Sequence, residues 1–180
     1  MKFKHILITG AGGYIGTSLV DQLLEQGYMV TGVDRYFFGE ELFGSTLKNP
    51  NFKWIKKDIR DLGVADFDKV DAVCDLASLS NDPSGELDEN LTYSINHLGR
   101  ANVAKLAKKA GVKQYILASS CSVYGQGVSA ALTEESETHP ISTYAKANVL
   151  AENDAFALAD DQFCATALRQ ATVFGLSKRM

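Results

Sequence analysis

Short apolar runs along this chain alternate with segments whose apolar residues recur at helical spacing. His5–Thr9 is one such run; it stops at Gly10 and predicts a buried strand. From Tyr14 to Glu25, the positions of Ile15, Leu19, Leu23 and Leu24 define one helix face, and Gly27 supplies the stop. Further strands are predicted at Tyr28–Val33 (closed by Asp34), Phe52–Ile55, Val70–Ala77, Gln114–Ser119 and Phe163–Leu168. Further helices are predicted at Leu91–Ala110, ended by Gly111, and at Tyr144–Leu158. Most of these strands are apolar along their length, as strands covered on both faces must be. The alternation therefore predicts an α/β fold, a doubly wound parallel sheet in the Rossmann strand order 3-2-1-4-5-6. Tyr36–Asn51 and Gly125–His139 carry glycine or charge without periodicity and are expected to be ligand-contacting loops.

Composition narrows this picture only modestly. With 180 residues the chain is expected to form one domain, residues 1–180. A net charge of −4 gives no reason to expect nucleic acid or an anionic membrane as partner. The first apolar run is too short for the core of a signal peptide, and no stretch has the apolar length needed to span a bilayer. Cys74, Cys121 and Cys164 are too scattered for a disulfide framework or a zinc site. Packing is expected for Cys74 and Cys164, and a reducing, cytoplasmic setting for the chain. His5, His97 and His139 stand singly, so no metal is expected.

The chemistry begins at Gly10-Ala11-Gly12-Gly13-Tyr14-Ile15-Gly16, which follows the first predicted strand and opens the first predicted helix. In a dinucleotide-binding turn, Gly10 permits the tight bend and Gly13 the approach of backbone to pyrophosphate. Gly16 permits close helix–strand packing, and the helix start offers free N–H groups to phosphate. Asp34, at the end of the second strand, is placed to accept hydrogen bonds from ribose hydroxyls and to repel the additional phosphate of NADP. Arg35 pulls the other way, since an arginine pairs with that phosphate. The acidic position is the one that strand geometry fixes, so NAD is the expected cofactor.

With these motifs the sequence resembles the extended short-chain dehydrogenase/reductase family of NAD-dependent nucleotide-sugar epimerases and dehydratases, in its N-terminal cofactor-binding part. The resemblance also rests on Asp58-Ile59-Arg60-Asp61, Asp75-Leu76-Ala77-Ser78, Asn96 with Gly99, the segment Ala118–Gly125 and Leu168-Arg169. It implies that Asp58 contacts the adenine amino group and that Ile59 flanks the ring. It implies that Leu76, Ala77, Ser78 and Ser119 line the cofactor together with Tyr14, Ile15 and Arg35, and that Asn96 braces the surrounding loops. Read without the resemblance, Asp58 is a capping carboxylate and Asn96 a helix-surface amide.

The resemblance further implies hydride exchange at a sugar carbon, with Ser120 as the family's serine and Tyr144 as acid and base. A free tyrosine titrates near ~10, so a neighbouring cation is needed for work at neutral pH. The family's Tyr-x-x-x-Lys pattern supplies that cation one helical turn on, but here the position holds Asn148. Lys146 lies about 200° away around the helix axis and is no substitute. Asn148 is expected to hydrogen-bond the nicotinamide ribose without supplying charge, so slow or absent turnover with retained cofactor binding is expected.

Family members continue well past this length into a substrate domain, largely absent here, so a fragment or early-terminated product is expected. Epimerase chemistry is favoured over dehydratase chemistry, because the segment after Ser120 lacks an acidic pair. A catalytically weak NAD-binding or sensing domain is the competing reading. A nucleotide sugar is the expected small-molecule partner, and a homodimer through helices 91–110 and 144–158 is a further expectation.

Overall fold

The computed structural model describes residues 3–126 and 131–179. Their strands are β1 (His5–Thr9), β2 (Met29–Asp34), β3 (Phe52–Lys56), β4 (Ala72–Asp75), β5 (Gln114–Ser120) and β6 (Cys164–Gln170). They form one sheet in the order β3-β2-β1-β4-β5-β6, with every pairing parallel. Side chains alternate across β1: Ile6 and Ile8 join the core under α1 (Tyr14–Glu25), and Leu7 joins the core on the opposite face. That opposite core is built by α4 (Arg100–Lys109) and α5 (Thr143–Ala157), through Val103, Ala104, Ala107, Ala151 and Ala155. A central strand covered on both faces can be apolar at consecutive positions, which explains the continuous runs in the sequence. The chain runs outward from β1 to β3, then returns to place β4 on the other side of β1. The carboxyl ends of β1 and β4 thereby flank the switch point where such sheets bind ligands.

The departures from the predicted elements have physical reasons. β4 ends at Asp75 rather than Ala77, because Leu76 and Ala77 leave the sheet; the Ala77 N–H then donates to Thr9 Oγ1 at 3.2 Å. β6 runs on to Gln170, in register with β5 as far as the pair Ser120–Gln170. Cys164, expected to pack, is exposed, because β6 is an edge strand. Tyr36–Asn51 contains a 3₁₀ segment at Glu40–Lys48, held by Phe43, whose ring packs against Tyr36 and Phe52. The expected loop Gly125–His139 includes residues 127–130, which lie outside the described residues.

The helix predicted at Leu91–Ala110 is interrupted. α3 (Glu89–Thr92), capped by Asp88, leads into a π segment at Tyr93–Gly99 before α4 begins. An unpredicted short helix, α2 (Asp82–Glu86), precedes them, capped by Asn81. No helix among the described residues is long and apolar enough to cross a membrane.

Asp71 ties the two central strands at their amino ends: its Oδ2 accepts the backbone N–H of Lys4 at 2.7 Å and of His5 at 2.9 Å. These two bonds hold the carboxyl below the usual carboxylate range. A lowered folded-state value means stability that is present above the ordinary pKa and lost as pH falls through the lowered one. Asp71→Ala should therefore be less stable than the parent at neutral pH by roughly 1 kcal/mol or less, allowing for solvent screening. Urea melts should show the gap closing below a pH of about 4.

Candidate functional site

The loop between β1 and α1 has almost no room for side chains. Gly10 has φ +68°, and a Cβ there would lie 2.8 Å from the Ala77 nitrogen. A Cβ on Gly16 would lie 2.2 Å from the Gly10 carbonyl oxygen. Gly13 is the N-cap of α1, and no side chain caps that helix. Its start is thus a cluster of backbone donors at the positive end of a helix dipole, suited to a phosphate. Asp34 stands beside it at the end of β2. Its two oxygens accept one backbone N–H each, from Gly12 at 3.0 Å and Tyr36 at 2.7 Å, which fixes the carboxylate and leaves lone pairs free for further donors.

Two cavities meet at this loop. The first, about 340 Å³, is lined by Asp34, Arg35, Asp58, Ile59 and Ala77 among others. The second, about 620 Å³, is lined by Tyr14, Ile15, Gly16, Ser119, Ser120 and Tyr144 among others. Gly10, Leu76, Ser78 and Arg179 line both, so the cavities adjoin across the glycine turn. The combined cleft suits an elongated molecule with an anionic middle. Its two ends differ. The first has mostly apolar walls around two carboxylates, whereas the second gathers hydroxyls.

At the first end Asp58 caps the short 3₁₀ turn Ile59–Asp61, with Oδ1 accepting the Arg60 N–H at 3.0 Å. The Arg60 guanidinium also holds both carboxylate oxygens, at 2.9 and 2.8 Å, and keeps the Asp58 carboxyl below its usual range. Arg35 lies over the Phe37 ring at 4.4 Å, with Nη1 3.4 Å from Asp58 Oδ2. The capping reading of Asp58 therefore holds, while the same residue lines the cavity.

At the second end Ser120 closes β5, and its Oγ accepts the Ser122 N–H at 3.2 Å. Tyr144 lies in the first turn of α5, which the Ser142 hydroxyl caps by accepting the Ala145 N–H at 3.1 Å. The sequence reading missed α2, which fixes this turn. Ser142 Oγ donates to Asp82 Oδ1 at 2.5 Å, and the Thr143 N–H donates to Glu86 Oε1 at 2.6 Å. Gly85 lets α2 approach so closely that a Cβ there would lie 3.0 Å from Tyr144 Cβ. The signal was present in Asn81-Asp82-Pro83, an N-cap residue with proline in the first turn. Ser119 lines the second cavity, but its hydroxyl donates to the buried Glu152, which Arg169 grips with two nitrogens.

Two of the expected site residues, Asn96 and Asn148, are fully buried and line neither cavity. Asn96 is fully buried in the π segment, so the helix-surface reading is wrong. Its Oδ1 accepts the Leu79 N–H at 2.8 Å and its Nδ2 donates to the Leu79 carbonyl at 3.0 Å, which pins the loop after β4. The π turn widens the helix locally and turns this amide inward. Asn148 was expected to face the cofactor. It is instead 0% exposed, and its Oδ1 accepts from Arg100 Nη1 at 2.9 Å. Arg100 itself was overlooked, although it shares a stripe with Val103, Ala104 and Ala107, and that spacing marks it as buried. Among the described residues no group of three or more His, Cys, Asp or Glu could hold a metal ion.

Comparison with known proteins is consistent with this geometry. The model of the NAD dependent epimerase/dehydratase family matches residues 6–180. A UDP-glucose 4-epimerase of Mycolicibacterium smegmatis is 33% identical over 152 residues, covering 81% of this chain and 48% of that protein. The decarboxylating sterol-4-alpha-carboxylate 3-dehydrogenase of Bos taurus is 29% identical, covering 97% of this chain and 48% of that protein. The solved UDP-glucuronic acid 4-epimerase of Bacillus cereus, in complex with UDP-glucuronic acid and NAD, superimposes with a TM-score of 0.86 at 25% identity. That match covers 97% of this chain and 59% of the epimerase. The chain thus spans about half the length of these relatives.

Proposed function

Because this chain belongs to the NAD-dependent epimerase/dehydratase family, we propose that it binds NAD across the glycine turn and serves hydride exchange at a carbon of a nucleotide-linked sugar. The observation that carries this reading is the cleft itself, two cavities joined at an uncapped helix start, with Asp34 at one end and Ser120 and Tyr144 at the other. The residues fit the cofactor. Gly10 and Gly16 let the turn and α1 pack closely against backbone, and Gly13 keeps the helix start bare for a pyrophosphate to approach the backbone N–H groups of Tyr14 and Ile15. Asp34 takes the ribose hydroxyls, and its fixed carboxylate disfavours the additional phosphate of NADP. Asp58 and Ile59 serve the adenine, Leu76, Ala77 and Ser78 the wall, and Asn96 the loop that carries them. NAD, when bound, supplies the hydride acceptor and donor. Tyr144 moves a proton at its phenolic oxygen, and Ser120, which lines the same cavity, orients the sugar hydroxyl.

The nucleotide sugar is preferred as substrate because the M. smegmatis and B. cereus relatives are named for UDP-sugars. The B. taurus relative is named for a sterol carboxylate, a different substrate class. A second reading, a catalytically weak NAD-binding domain, is favoured by one observation: Asn148 faces Arg100 rather than the cleft. The same proposal includes a homodimer through residues 91–110 and 144–158, supported by exposed Leu98 and Phe156 and tested by light scattering.

Calorimetric titration tests the cofactor. NAD⁺ should bind the chain and NADP⁺ should not. Asp34→Ala should weaken NAD⁺ by roughly 1–3 kcal/mol, the cost of a lost charge-assisted pair of hydrogen bonds. Absence of NAD⁺ binding by the parent chain would sink the reading. With UDP-glucose as probe, Tyr144→Phe should cost about 10²–10⁴ in turnover. No turnover by a parent chain that does bind NAD⁺ would favour the weak-binding reading.

A further inference from the structure

Beneath the second cavity lies a buried polar cluster that the proposed chemistry leaves unexplained. Arg100, at the start of α4, is 1% exposed, and Asp75 and Asn148 are 0% exposed. The Arg100 guanidinium reaches three elements. Nη1 donates to Asn148 Oδ1 on α5 at 2.9 Å, and Nη2 donates to the carbonyls of Asp75 on β4 at 3.1 Å and Ala118 on β5 at 2.6 Å. Nε lies 3.6 Å from Asp75 Oδ2 and has no hydrogen-bond partner. Asp75 accepts from Thr9 Oγ1 at 2.5 Å and from the Tyr115 hydroxyl. Burial and the Asp75 charge hold that hydroxyl protonated, well above the ordinary tyrosine value. Asn148 Nδ2 completes the chain by donating to the Tyr144 carbonyl at 3.1 Å, one turn back along α5.

We propose that Arg100, acting through Asn148, takes over the orienting part of the missing lysine's work but not its charge, as a positioning residue for Tyr144 and for the nicotinamide end of the cleft. This inference rests on the cofactor reading above. A guanidinium is a planar fork of donors fixed in direction, so one side chain holds two strand ends and an amide at set positions. Asn148 is short, neutral and an acceptor, the qualities a residue needs to face an arginine in a dry interior. A lysine at 148 would carry its ammonium toward the place Nη1 now fills, setting two cations against the single Asp75 carboxylate. Arginine at 100 and lysine at 148 therefore exclude each other. Asp75 offsets the Arg100 charge, so what reaches Tyr144 is orientation of its helical turn rather than a free positive charge. Ala118 and Leu76, which flank the cluster in sequence or contact, are also walls of the second cavity, so a shift in the cluster moves the floor of that cavity.

The test is a cycle of three variants of the whole chain: Asn148→Lys, Arg100→Leu and the double variant. Each is measured by thermal melting and by calorimetry with NAD⁺ and with ADP-ribose, which lacks the nicotinamide. Asn148→Lys alone should lower Tm and weaken NAD⁺ about tenfold or more, from like charges facing in the interior. ADP-ribose should be affected less, because it lacks the nicotinamide that the Tyr144 end of the cleft would hold. The double variant should recover both Tm and NAD⁺ affinity, since Lys at 148 then has Asp75 to itself. A merely structural role would move NAD⁺ and ADP-ribose together, and that result overturns the proposal. So does an Asn148→Lys variant that matches the parent, or a double variant no better than Asn148→Lys. A parent chain that binds ADP-ribose and NAD⁺ equally poorly sinks the cofactor reading, and this inference with it.

Discussion

Arg100→Leu alone should destabilise the chain by about 3–5 kcal/mol, the range seen when one partner of a buried ion pair is removed. The loss has two parts. Asp75 would remain buried with no cation near it, and the carbonyls of Asp75 and Ala118 would lose their donor at the ends of β4 and β5. Two hydroxyls, from Thr9 and Tyr115, still point at Asp75, but a charged carboxylate in a dry site needs more than neutral donors. Arg100→Leu with Asp75→Asn should recover a large part of the loss, since the uncompensated charge is then gone. Urea unfolding at neutral pH reads both. A drop under about 1 kcal/mol would mean that water reaches Asp75 and that the cluster is not the closed unit described above.

The second large effect is expected at Gly16. A valine there would thrust its Cβ into the Gly10 and Ala11 carbonyl oxygens, at 2.2 and 2.7 Å, and both belong to rigid backbone. Either α1 moves off β1 or the loop opens, at a cost of about 1–3 kcal/mol or more. Since the proposed phosphate site is the uncapped start of α1, the same displacement should remove most NAD⁺ affinity. Gly13→Ala is the milder comparison. Its Cβ would meet the Gly10 carbonyl oxygen at 3.0 Å, so it should weaken NAD⁺ with little change in Tm. Melting curves with and without NAD⁺ separate the two. A Gly16→Val chain with parental Tm and affinity would show that the loop is not held as tightly as these contacts require.

Much of the site could be read from the residues in order. The glycine spacing, Asp34 at a strand end, and Ser120 and Tyr144 in their motifs all sit in or beside the cleft, because each depends on a local element that its own neighbours specify. The short helix α2 was also encoded locally, in Asn81 and Pro83, and was passed over because five residues are too few to show a period. The π segment was not legible at all. Nothing in Tyr93–Gly99 alters the helical spacing, and only the bond from Asn96 to Leu79, on a different segment, reveals why the helix widens.

Asn148 marks the boundary between the two kinds of information. By itself the sequence determined the alternation of strand and helix, the parallel sheet and its order, the glycine turn, and the fact that Asn148, not lysine, stands four residues after Tyr144. These follow from periodicity and from residues that act through their own backbone. Where Asn148 points, and which side chain it meets there, was decided only by tertiary structure. Arg100 is 48 residues away along the chain and meets Asn148 because α4 and α5 pack side by side on one face of the sheet. A buried charge takes its partners from every element that closes over it, and no spacing along a single helix carries that information.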